Sequence, residues 1–158
     1  MNRTTLTHRI TLAALTVAFL SGIIHASKVA AGPEGASLAD IKISFKLDQR
    51  LTLGQYMGDL WVSPPTYTRL QEGKELVVEA RVEGADSQGK LVRVSPHWKP
   101  EDPDMVAVSP GQGNEVKITV KRTGQTGLEV SSQGISKNLS IRATATHEGK
   151  ALRVEITQ

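Results

Sequence analysis

Residues 75 to 83 read Glu-Leu-Val-Val-Glu-Ala-Arg-Val-Glu, and they alternate an apolar set (Leu76, Val78, Ala80, Val82) with a charged one (Glu75, Glu79, Arg81, Glu83). Successive side chains of an extended strand point to opposite faces, so a period of two gives one face for a core and one for water. The segment predicts a half-buried β-strand. The same alternation recurs on both sides of it. Upstream, Ile41, Ile43, Phe45 and Leu47 alternate with Lys42, Ser44 and Lys46. Downstream come Val92, Val94 and Trp98; Val106 and Val108; Val116, Ile118 and Val120; Leu128 and Val130; Leu139, Ile141 and Ala143; and Leu152, Val154 and Ile156.

Turn-forming residues separate these runs at Gly84 to Gly89, Pro100 to Asp104, Pro110 to Asn114, Thr123 to Gly127, Gln133-Gly134 and Glu148-Gly149. After residue 31 no window shows the three-to-four apolar repeat of an amphipathic helix, so helical crossovers between parallel strands are not expected. Short strands joined by turns without helices predict an all-β, antiparallel sandwich or barrel of about seven or eight strands. The stretch from Asp48 to Lys74 breaks the pattern with Gly54, Gly58 and Pro64-Pro65. It is expected to cross one end of the sandwich or to add an edge strand.

Ahead of the strands stands a different kind of sequence. Arg3 and Arg9 precede Ile10 to Ile24, an uncharged apolar run of fifteen. That run has the length of a signal-peptide core and is short for a bilayer span, which takes about 20 residues. Residues 1–31 therefore read as an export signal. Val29-Ala30-Ala31 offers cleavage before Gly32, Ile24-His25-Ala26 offers cleavage before Ser27, and retention as an N-terminal anchor is the alternative. No Cys follows the run to carry a lipid, and no Arg-Arg pair precedes it. Residues 32–40 are then a flexible lead and 41–158 a single domain.

Charge and composition narrow the function classes. Of the 158 residues, 39% are apolar and 22% charged, which is a globular composition. The formal charge of +3 arises in residues 1–31, where Arg3, Arg9 and Lys28 meet no acid; the remaining 16 basic residues balance all 16 acidic ones. Phosphate binding needs clustered Lys and Arg, so the balance argues against a nucleic-acid partner or an anionic membrane surface. There is no Cys. An exported domain without disulfides has to be stabilised by its core, and at about 127 residues it buries roughly two-thirds of its unfolded surface.

The order of Trp98, Asp102-Pro103, Val106-Ala107-Val108, the glycines at 111 to 113, and Gly124 leading into Leu128 and Val130 resembles the bacterial immunoglobulin-like domain, group 2. The resemblance covers about residues 70–143, with Gln125 and Gly127 standing where the family usually carries Thr. It implies an immunoglobulin-like β-sandwich with Trp98 in the core. Family members occur in bacterial surface proteins and adhesins, often as spacers, which implies an envelope setting while leaving function open.

Candidate chemistry is sparse. Past residue 31 only His97 and His147 remain as imidazoles, and His97 falls on the outward phase of its strand. Glu101, Asp102 and Asp104 place carboxylates together but lack the glycine and trailing Glu of a calcium loop; Asp-Pro is also tight-turn chemistry. Ser87-Gln88-Gly89-Lys90 has the S-x-x-K spacing of a serine nucleophile and its lysine. It lies in a turn instead of opening a helix, and no S-D-N or K-T-G follows. Asn138-Leu139-Ser140 matches a glycosylation sequon within a strand. No cofactor or metal is called for.

Tyr56, Trp61 and Tyr67 are three of the five aromatics past residue 31, all within the irregular stretch. Such rings bury large area and keep a polar tip, so they are candidate binding residues; capping the open end of the sandwich is the competing role. The sequence thus leads to an exported, periplasmic or extracellular, non-catalytic module contacting a protein or glycan of the cell envelope. A small periplasmic or secreted enzyme with an unrecognised site is the alternative.

Overall fold

The computed structural model describes residues 37–47, 59–146 and 149–158. Residues 1–36, including both cleavage motifs, lie outside it, as do Tyr56 and His147. The described residues belong to a compact unit spanning Pro33–Gln158.

Among the described residues every element is a strand. In chain order they are β1 (Asp40–Lys46), β2 (Trp61–Val62), β3 (Thr66–Glu72), β4 (Leu76–Ala85), β5 (Leu91–Val92), β6 (His97–Pro100), β7 (Val106–Ser109), β8 (Glu115–Val120), β9 (Gly124–Ser132), β10 (Ile135–Ala145) and β11 (Ala151–Thr157). They form two antiparallel sheets. One runs β2-β1-β4-β8-β7, with β5 also paired to β4, and the other runs β3-β11-β10-β9-β6. The order β1-β4-β8-β7 opposite β6-β9-β10 is that of the four- and three-stranded sheets of a constant-type immunoglobulin sandwich, here extended by β2 on one sheet and by β11 and β3 on the other.

The period-two reading explains the core. β4 buries Leu76, Val78, Ala80 and Val82 and turns Glu79, Arg81 and Glu83 outward. Its buried set meets Leu128, Val130, Leu139, Ile141, Val154 and Ile156 from the other sheet in one hydrophobic cluster. Trp98 is 4% exposed within it, and its indole Nε1 donates to the Gly113 carbonyl at 2.9 Å. That carbonyl is presented by a backbone at φ 133°, a conformation glycine adopts without the Cβ penalty. The loop after β7 is thereby tied to β6, since Trp98 N also donates to Gly111 O and Gly113 N to Pro96 O.

Two local expectations need correction. The run from Val92 to Trp98 is divided: β5 pairs in one sheet and β6 in the other, because Ser95-Pro96 lets the chain change layers. Thr123 to Gly127 is not wholly a turn. β9 begins at Gly124, with Gly127 opposite Ser140 in the ladder. Of the two readings of the Asp48 to Lys74 stretch, the edge strand is present: Thr66–Glu72 is seven residues paired along their length with β11. Its inward positions after Tyr67 are Arg69 and Gln71, so the apolar period that marks the other strands is missing there. An inward-pointing charge is one device by which an edge strand resists pairing with another chain.

Candidate functional site

The sequence-derived trio does not form one surface. Tyr67 is 6% exposed, stacks on Phe45 at a centroid distance of 4.8 Å, and donates its hydroxyl to the Lys46 carbonyl at 3.0 Å. It closes the side of the sandwich where β3 approaches β1. That burial removes Tyr67 from any exposed binding set. Tyr56 lies outside the described residues. Trp61 is the member that meets solvent.

Trp61 sits on the short edge strand β2, where it pairs with Lys46 of β1. Its ring covers the Arg81 guanidinium, whose central carbon lies 4.6 Å from the ring centroid. Arg81 projects from the outer face of β4 and also bonds Glu83 at 3.2 Å. Beside this pair, the Lys46 ammonium bridges Asp59 at 3.0 Å and Glu79 at 3.1 Å. The hydrogen bond to Asp59, and then that to Glu79, raises the Lys46 pKa above its ordinary value.

The strand register lines these groups up. Glu79 is opposite Lys117, which is opposite Ser109; Arg81 is opposite Glu115. An open groove of about 460 Å³ follows, with Trp61, Glu79, Ser109, Pro110, Glu115 and Lys117 among its lining residues. It offers an aromatic wall, a prolyl ring, two carboxylates, an ammonium and a hydroxyl. Glu115 and Lys117 enter no salt bridge among the described residues.

A second groove, of about 510 Å³, lies on the outer face of the other sheet between Glu101 and the strands β9 and β10. Its carboxylate is already used: Glu101 Oε2 accepts from Gly127 N at 3.0 Å. A side chain at 127 would overlap that carboxylate, with its Cβ 2.4 Å from Glu101 Cδ. This accounts for glycine at 127.

The remaining candidates are turn chemistry. Asp102 Oδ1 accepts from Asp104 N and Met105 N, both at 3.0 Å, and its Oδ2 pairs with Arg122. Among the described residues no three His, Cys, Asp or Glu side chains converge as metal ligands. Ser87 and Lys90 lie in the β4–β5 turn, where Asp86 Oδ1 accepts from Gln88 N and Lys90 N, both at 2.9 Å. Asn138 is exposed on the outward face of β10.

Periodicity had marked Glu79 and Arg81 as outward, but nothing local placed them beside Trp61 or Glu115. Compared with known proteins, the chain matches no family model, no curated protein and no solved structure.

Proposed function

We propose that this chain is an exported, non-catalytic β-sandwich module of the bacterial envelope that serves as a structural or spacer domain and contacts a protein or glycan there. The observation that carries the contact role is the pairing of a half-buried Trp61 with the mixed polar groove it lines. Large amphipathic rings contribute heavily to binding when they cover a partner. Export rests on the sequence of residues 1–31.

The test is expression of the full chain in a bacterial host, followed by fractionation, intact-mass measurement and retention on washed cell envelopes. The expected product is an exported chain beginning at Gly32 that is retained on envelopes and released by Trp61→Ala. A chain that stays in the cytoplasm with residues 1–31 attached, or equal retention of wild type and variant, would count against the reading.

A further inference from the structure

We infer that the groove beside Trp61 is a binding site for an uncharged glycan chain. The inference rests on the contact-module reading above and names the ligand chemistry of that same groove.

Charge is the first reason. Three cations (Lys46, Arg81, Lys117) stand among four carboxylates (Asp59, Glu79, Glu83, Glu115), and the signs alternate from strand to strand. Lys46 is tied to Asp59 and Glu79, and Arg81 to Glu83, so most of these fields are cancelled within the protein. A polyanion would meet Glu79 and Glu115; a polycation would meet Lys117 and Arg81. Neither finds the single-sign surface that attracts it.

Functional-group complementarity is the second. A pyranose ring has apolar C–H faces and a rim of hydroxyls that both donate and accept. The groove answers both parts, with the Trp61 and Pro110 rings for the C–H faces and, on adjacent strands, Glu115 as acceptor, Lys117 as donor and Ser109 as either. Glu115 and Lys117 are two residues apart on β8 and so project from the same outward face. An apolar partner surface would leave both of these charges desolvated without compensation, which is costly.

Preorganisation is the third. Trp61 is held by Arg81 beneath it, and the Lys46 carbonyl that anchors Tyr67 belongs to the residue paired with Trp61. A ring fixed before binding loses less rotamer freedom when a ligand covers it. Openness at the surface suits a chain that runs through instead of a small molecule that is enclosed.

Affinity electrophoresis of the full chain in native gels tests the inference. The neutral probes are hydroxyethylcellulose, glycogen and N-acetylated chitin oligomers; polygalacturonate and polylysine are the charged controls. At least one neutral glycan is expected to bind, and neither charged polymer. Trp61→Ala is expected to weaken binding at least tenfold, equivalent to about 1.4 kcal/mol. Because Trp61 covers Arg81, Glu115→Gln serves as the second variant, changing a groove side chain with no salt bridge. It is expected to weaken binding severalfold at an unchanged denaturation midpoint. Binding to no neutral glycan, or binding insensitive to both variants, would overturn the inference. If the chain is retained on envelopes through Trp61 but binds none of the neutral glycans, the ligand class is wrong while the contact role stands.

Discussion

The hydroxyl of Tyr67, on the edge strand of one sheet, donates to the backbone carbonyl of Lys46 in the opposite sheet at 3.0 Å. With the ring stacked on Phe45, this bond joins the two layers along the side where β3 approaches β1. Tyr67→Phe keeps the stack and loses one hydrogen bond, so the expected cost is about 0.5 to 1.5 kcal/mol. Tyr67→Ala also loses the buried ring and is expected to cost about 3 to 5 kcal/mol. Urea midpoints compared at equal slope measure both. Equal, small effects would show that the ring contributes nothing to closing the sandwich.

Trp98 joins the cross-sheet core to the loop after β7. Trp98→Ala should cost about 3 to 5 kcal/mol through lost transfer energy and a cavity. That is a large part of the roughly 5 to 15 kcal/mol a domain holds. Trp98→Phe should retain most of the packing but orphan the Gly113 carbonyl, at about 1 to 3 kcal/mol. Thermal and urea unfolding of both variants check the order.

Two glycines that look alike in sequence should respond differently to alanine. A Cβ at Gly84 would come within 2.4 Å of Val94 Cγ1, 2.7 Å of Leu38 Cδ1 and 3.0 Å of the Val92 carbonyl oxygen. That oxygen belongs to the β4–β5 ladder and cannot easily retreat, so Gly84→Ala should cost about 1 to 3 kcal/mol as overpacking. At Gly127 the obstacle is the end of the flexible Glu101 side chain. Gly127→Ala should therefore displace that carboxylate and cost only about 1 kcal/mol, the worth of one hydrogen bond. Paired midpoints that reverse this order would defeat the account.

Asp40 and Lys137 bridge the two sheets at 3.0 Å. The hydrogen bond from Lys137 is the main reason the Asp40 carboxyl lies below its ordinary pKa, against a weaker opposing push from desolvation. A depressed carboxylate contributes stability that is present above its unfolded pKa, about 3.9, and is lost as pH falls through the folded value. The pair is largely solvent-exposed, so the contribution should be no more than about 0.5 kcal/mol at pH 7 and smaller in 1 M salt. Asp40→Asn should lower the midpoint slightly at pH 7, with the difference from wild type shrinking as pH falls below the unfolded pKa of about 3.9 and vanishing below the depressed folded value. A difference that grows on acidification would contradict the sign.

Much of the architecture is local and so legible in one dimension. The alternation of Ile41, Ile43 and Phe45, of Leu76 to Val82, and of Val116 to Val120 states which side of each strand is buried, because the pleat repeats every two residues. Trp98 is core as expected, but not through one alternating run with Val92 and Val94, since β5 and β6 belong to different sheets. β3 was not legible in this way, since its inward Arg69 and Gln71 hide the period and its strand conformation depends on pairing with β11, far along the chain.

The antiparallel β-sandwich, the buried face of most strands, most turns and the candidate trio of aromatics are legible in the order of residues. That Tyr67 packs into the core, that Trp61 rests on Arg81, and that Glu79, Glu115 and Lys117 share a groove with it emerges only once the sheets are assembled. The difference lies in the range of each interaction. Burial alternation is fixed between neighbours in sequence, whereas ring stacking, ion pairing and the lining of a groove are set by cross-strand register, which brings together residues that no local pattern connects.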